Sequence, residues 1–297
     1  MATAPQPAVP QPAARTVSIL AVAALATALA ACAPQADNRA SSAPSGQGCG
    51  KDQLKTLHPG KLTIGTDDPA YQPWFADNKP DNGNGFESAV AYAVADKLGF
   101  ARGDVAWSRV TFNNAIQPGP KAYDFDINEF SITDERKKAV DFSSPYYDVR
   151  QTVIALKSSK IAGAKSLADL KGAKLGAQVG TTSYKAVTEV VKPTGQPQVF
   201  NSNDDAKQAL RNGQIDGLVV DLPTAFYITG AEITDAAIVG QLPQPAGQPE
   251  QFGLVLDTGS ALTACVSQAV DALRSNGTLD SLQQKWLSQQ GGAPELK

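Results

Sequence analysis

The chain has almost no histidine: His58 is the only one, and it stands just before a proline and a glycine, outside any dense polar cluster. A His-based catalytic triad and a multi-His metal centre are therefore excluded. Its three cysteines, Cys32, Cys49 and Cys265, form no CxxC pair and no metal-ligand spacing. No metal and no cofactor is expected. The net charge is only -3, so nothing points to nucleic acid or another polyanion as partner. Beyond Ala31 there is neither a run long enough to span a membrane nor a signalling domain.

What is present begins with Val17 to Ala31, an apolar run too short for a comfortable membrane span and typical of a signal-peptide core. It ends Leu29-Ala30-Ala31-Cys32, where small residues precede a cysteine that can carry a diacylglyceryl group. This looks like a bacterial lipobox; an ordinary secretory signal with a chance cysteine is the competing reading. The expected parts are a signal peptide over 1–31 and a Pro/Ala/Ser/Gly-rich flexible tether over 32–50. Export places the two remaining cysteines in an oxidising compartment, and a Cys49–Cys265 disulfide is expected there. Two free thiols are the alternative.

From residue 51 onward the pattern is α/β. Lys61 to Thr66 reads as a strand and Phe86 to Leu98 as an Ala-rich helix stopped by Gly99. Val105 to Phe112 reads as a strand running into a loop. Phe125, Ile127 and Phe130 spaced among polar residues give a third strand. The pattern recurs with strands at Gln151–Leu156, Lys174–Val179, Ile215–Val220 and Gly253–Leu256, and helices at Asp204–Arg211, Leu262–Leu273 and Leu279–Leu287. Two α/β lobes suit this length better than one sheet. The expected division is 51–149 with 251–297 for the first lobe and 150–250 for the second, with Gln151–Leu156 and Gln251–Leu256 crossing between them.

Four loops follow strand ends, where open α/β sheets place ligands. They carry Asp68, Tyr71 and Trp74; Asn128, Glu129, Ser131 and Arg136; Gly180-Thr181-Thr182; and Asp221. Arg136 offers a bidentate fork to a carboxylate. Thr182 opens a helix whose amides favour an anion. Asp221 accepts from an ammonium, and Tyr71 with Phe112 or Trp74 supplies flat walls. Each residue also has a plain structural reading. Arg136 lies in a DERKK run that suits a solvated turn, Asp221 precedes Pro223 as a helix cap would, and the aromatics suit a core.

The segments IGTDDPAYQPW, GFESAVAYAVADKLGF, FSITDERKKAVDFSSPYY, KSLADLKGAKLGAQVGTTSY, ALRNGQIDGLVVD and LRSNGTLDSLQQKW resemble, in order and spacing, the family 3 extracellular solute-binding proteins, the polar amino-acid receptors of bacterial ABC importers. The resemblance covers Leu62 to Leu287. It implies a periplasmic-binding-protein-like fold: two α/β lobes joined by two crossing strands, with a ligand cleft between them. It implies that Arg136 and Thr182 hold the ligand carboxylate, Asp221 the ammonium, and Ser131 with the Asn128–Glu129 backbone its main-chain groups. Tyr71 and Phe112 would enclose the side chain, and Asp68 would face its distal end. The implied partners are a free amino acid, an ABC permease and, through lipid on Cys32, the outer face of the cell membrane, for a monomeric protein that is not an enzyme. At Glu129 many relatives carry Gly, Ser or Gln. An acid there makes the wall negative and suits a cationic ligand, unless Glu129 pairs with Arg109 or Arg150 and leaves room for a neutral polar one such as glutamine. A cyclohexadienyl dehydratase-like enzyme and a ligand-sensing module are the rival functions on this fold.

Overall fold

The computed structural model describes residues 48–244, 249–287 and 292–297. The expected signal peptide, lipidated Cys32 and most of the tether lie outside them. The first strand, β1 (Leu62–Thr66), is buried along its whole length, as a strand covered on both faces must be. Helix α1 (Phe86–Lys97) follows and buries Phe86, Val90, Ala91, Val94 and Ala95. Its N-cap, Gly85, has φ +98°, and a Cβ there would lie 2.3 Å from the Trp74 carbonyl oxygen, so only glycine brings the helix this close. Next come β2 (Val105–Arg109), the single-turn helix α2 (Phe112–Ala115), β3 (Phe125–Asp126), β4 (Asp141–Phe142) and β5 (Tyr147–Val149).

The chain then enters a second sheet with β6 (Gln151–Leu156), β7 (Leu175–Gln178), α3 (Thr182–Ala186), β8 (Gln198–Phe200), α4 (Asn203–Arg211), β9 (Gly217–Asp221), α5 (Leu222–Tyr227) and β10 (Ala236–Gln241). It returns through β11 (Glu250–Phe252) to β12 (Val255–Leu256), α6 (Thr263–Ser275) and α7 (Thr278–Leu287). The first sheet has strand order β2-β1-β3-β12-β4 and the second β10-β6-β9-β7-β8. Parallel pairs β1/β2, β1/β3, β7/β8 and β7/β9 give each sheet its α/β character. The first sheet packs on α1, α6 and α7 around Leu62, Ile64, Phe86, Val266 and Val270. The second has Val153, Leu175 and Val219 on one face and Ile154, Leu218 and Val220 on the other.

The link between the sheets is the antiparallel ribbon β5–β11, which pairs Val149 with Glu250 and Tyr147 with Phe252. Gln151–Leu156, expected as a crossing strand, instead lies between β9 and β10 inside the second sheet. The crossing is complete by Arg150, because the Gln151 register already pairs with Asp221. The expected strand through Phe130 is also shorter. It ends at Asp126, and Glu129 turns with φ +52°. A second correction concerns the C-terminus. Residues 293–297, assigned from sequence to the first lobe, pack on the second sheet: Glu295 bridges to Gln241, and Leu296 is buried with Val153, Leu175 and Val239.

A disulfide joins Cys49 to Cys265 on α6, with Cα atoms 5.3 Å apart. It staples the start of the described chain to the helical layer of the first sheet. Among the described residues no helix is long and apolar enough to cross a membrane.

Leu296 is only 1% exposed, so its side chain is part of the second core rather than a loose end. Leu296→Ala should destabilise the protein by about 2–5 kcal/mol. A urea denaturation midpoint equal to that of the wild type would refute this.

Candidate binding cleft

The loops leaving β1, β3, β7 and β9 meet between the two sheets. They enclose a cavity of about 40 Å³ whose wall includes Asp67, Tyr71, Phe112, Asn128, Glu129, Thr182 and Asp221. The cleft is closed by side chains reaching across it. Thr224 on α5 donates to Glu129 Oε2 at 2.9 Å, and Trp74 Nε1 donates to Thr224 at 2.8 Å. Ser131 and Thr182 hydroxyls lie 3.1 Å apart.

Acidic side chains gather on this wall: Asp67, Glu129 and Asp221. Glu129 and Asp221 both line the cavity, close enough for the charge of one to disfavour ionisation of the other. Burial pushes both well above the usual carboxylate range, and neighbouring charge adds to it: Asp221 and Glu87 act on Glu129, and Glu250 acts on Asp221. Behind them Glu87 is fully buried. It accepts from the Glu129 amide at 2.7 Å and from the Tyr146 hydroxyl. Burial raises it from 4.5 to about 7. Asp126, at 0% exposure, has no hydrogen-bond partner among the described residues on either carboxyl oxygen, and burial followed by the Glu87 charge raises it well above its ordinary range. Among the described residues, no Lys or Arg forms an ion pair with any of these four acids.

The left-handed backbone at Glu129 is an outlier for a non-glycine residue, and such strain is stored where a site over-determines it. Here the Glu87 carboxylate fixes the strained amide. Asp221 is held by Gln151, whose Nε2 donates to Asp221 Oδ1 at 2.6 Å and to Glu250 at 3.1 Å, while its Oε1 accepts from Ser183 at 2.6 Å.

Tyr71, Phe112, Asn128, Glu129, Thr182 and Asp221 thus meet in one cavity. Three of the expected site residues, Asp68, Ser131 and Arg136, lie off this cavity. Asp68 is exposed and bonded to Asn78. Asp67 takes the place on the cavity wall, because its Oδ2 accepts from the Phe112 amide that opens α2. Ser131 does not line the cavity; it donates to Glu250 on the ribbon at 2.6 Å. Arg136 points its fork at two carbonyls, Ser131 at 2.7 Å and Gly180 at 3.0 Å. It lies in the wall of an adjoining groove of about 550 Å³, 5.3 Å from the Phe112 ring. Burial lowers it to about 10. Pairing of Glu129 with Arg109 or Arg150 is not observed: Arg109 donates to Asp67 and Asn78, and Arg150 pairs with Glu295. The predicted ligand residues left out Asp67, Asn203 and Thr224, although Asp67 was expected near the wall beside Asp68. Only the neighbouring Asp67-Asp68 pair offered a signal for the first.

The sequence profile of the bacterial extracellular solute-binding proteins, family 3, matches residues 62–289. The chain belongs to that family. This family 3 member is 29% identical over 226 residues to the L-arginine-binding protein of Pseudomonas aeruginosa, covering 74% of this chain and 85% of the relative. Among solved structures it is 33% identical to an ancestral arginine-binding protein bound to glutamine, with TM-score 0.63, covering 77% of this chain and 98% of that one. It is 32% identical to an ancestral amino-acid-binding protein described as a precursor of cyclohexadienyl dehydratase, with TM-score 0.63, covering 77% and 95% respectively.

The buried acids of this solute-binding protein make its stability depend on pH. A carboxyl raised by folding, such as Glu87, contributes stability that is fully present below its unfolded value and is lost as pH rises through the folded one. Without added ligand, the melting temperature should therefore fall from about pH 4.5 to pH 7, and Glu87→Gln should flatten the slope. Melting curves across that range decide it; equal slopes in both proteins would contradict the assignment.

Proposed function

We propose that the protein captures a free amino acid outside the cytoplasm, with a cationic side chain favoured over a neutral polar one, and delivers it to an ABC import permease. The observation that carries this reading is that Glu129, Asp221 and Asp67 share the cavity wall with no basic ion-pair partner among the described residues. Such a site is neutralised either by protons or by a ligand's positive groups. In this reading Asp221 receives the α-ammonium and Glu129 and Asp67 face a cationic side chain. Tyr71 and Phe112 flank its stem. The α-carboxylate sits toward Arg136 and Thr182, which requires the Arg136 fork to exchange a carbonyl for the ligand. The ribbon β5–β11 is the bending element, and a ligand favours closure only through contacts made to both sheets. The arginine-binding relatives agree with this preference, and the glutamine held by an ancestral structure is the neutral competitor.

A second reading rests on one specific observation. Glu129 is a carboxyl on the cavity wall that burial raises well above the usual carboxylate range, as a general acid's would be, and one structural relative is a dehydratase precursor. The protein would then turn over prephenate or arogenate.

A thermal-shift screen of the amino acids with ornithine and citrulline should show concentration-dependent stabilisation by arginine, lysine or ornithine. Asp221→Asn should weaken binding of the stabilising ligand at least about tenfold, the effect of breaking a buried charged contact. Stabilisation by none of them, with turnover of prephenate or arogenate, would favour the enzyme. Cys32 is proposed as the lipidated residue that holds the protein at the membrane surface. Expressed with its signal, the wild type should partition into detergent, and Cys32→Ala should move it to the aqueous phase; equal partitioning of both would refute the anchor.

A further inference from the structure

The proposed ligand residues do not explain how the cleft senses that it is closed. Thr224 stands on α5, three residues beyond Asp221, and is 3% exposed. Both of its hydrogen-bond partners belong to the opposite side of the cleft. The Trp74 indole donates to its oxygen, and its own hydrogen goes to Glu129 Oε2. An indole N–H can only donate, so the single hydroxyl proton is free for the carboxyl alone. The hydroxyl donates to Glu129 Oε2 and holds that oxygen in place on the cavity wall.

Trp74 is completely buried and anchored on the ribbon. Its ring lies 5.6 Å from Tyr147 of β5 and 5.6 Å from Phe252 of β11, and 6.0 Å from Phe86 of α1. One hydroxyl therefore joins three things: the second sheet, the acid of the cavity wall, and the aromatic packing of both crossing strands.

We infer that Thr224 is a positioning residue for ligand capture: its hydroxyl latches the closed cleft by tying Glu129 to the ribbon-packed Trp74. The inference rests on the amino-acid-binding reading above. Opening the cleft breaks both bonds at once, and leaves the buried Trp74 N–H and the Glu129 carboxyl oxygen to find other partners. The latch therefore acts on the lifetime of the bound complex rather than on encounter.

Thr224→Val keeps the shape and removes the hydroxyl, and Thr224→Ser keeps the hydroxyl and removes the methyl. Binding of L-arginine and L-glutamine is measured by calorimetry and stopped flow on wild type and both variants, each first shown to melt cooperatively. The expected result for Thr224→Val is about tenfold to a hundredfold weaker binding, carried mainly by faster dissociation. Thr224→Ser should stay within about threefold of wild type. In parallel, the Trp74 indole N–H resonance, assigned by elimination with Trp107→Phe and Trp286→Phe, should shift on ligand addition in wild type and Thr224→Ser but not in Thr224→Val. Unchanged dissociation from Thr224→Val, or equal losses in the valine and serine variants, would overturn the latch while leaving the binding function intact. A wild type that binds neither amino acid would overturn the binding reading itself, and the latch with it.

Discussion

Two fully buried carboxyls, Glu87 and Asp126, and two half-buried ones, Glu129 and Asp221, have no basic ion-pair partner among the described residues, and the rest of this molecule answers that constraint. Taking a lone carboxylate out of water is so unfavourable that the group takes up a proton instead. Glu87, Asp126, Glu129 and Asp221 each meet the problem differently. Glu87 accepts from a strained amide and a phenol. Asp221 leans on Gln151, and Glu129 on Thr224. Asp126 has no hydrogen-bond partner among the described residues for either oxygen. A fold optimised only for stability would replace such groups with hydrocarbon. Glu129 and Asp221 stand on the cavity wall between the two sheets, where the proposed function gives them a ligand's positive charge.

The same region carries the mechanical connections. Glu250 sits on the ribbon and accepts from Ser131 on one side and Gln151 on the other. Trp74 packs on both crossing strands and reaches Thr224. The hinge and the cavity wall thus share residues, and a change in the orientation of the wall cannot be isolated from the bend of the ribbon. Arg136 belongs to this set as well, since its two carbonyl partners come from opposite sides of the cleft.

Much of the fold was legible because its signals are local. The apolar strand at Leu62–Thr66, the helix halted before Gly99 and the strand ending on Asp221 each announce themselves within a few residues. The joining of loops at strand ends then follows from the α/β pattern, which is why Tyr71, Asn128, Glu129, Thr182 and Asp221 were found together. What escaped was set by register and by long-range hydrogen bonds. Asp67 and Asp68 are chemically identical in sequence, and only the Phe112 amide selects the first. Gln151–Leu156 reads equally well as a crossing or an interior strand; pairing with β9 and β10 decides it. The tail at 293–297 has one apolar residue, Leu296, too little pattern to reveal which sheet it joins. Thr224 carries no local mark of function, because its role exists only through Trp74 and Glu129, far away in the chain.

The disulfide and the tail have a joint consequence. Cys49 is fixed to α6 beside the first sheet, while Lys297 accepts from the Leu167 amide and its neighbours clasp the second. The two extremities of the described chain ride on opposite jaws. Their separation is therefore a built-in caliper: fluorophores placed at these ends would report the gape of the cleft directly, without touching a residue of the cavity or the ribbon.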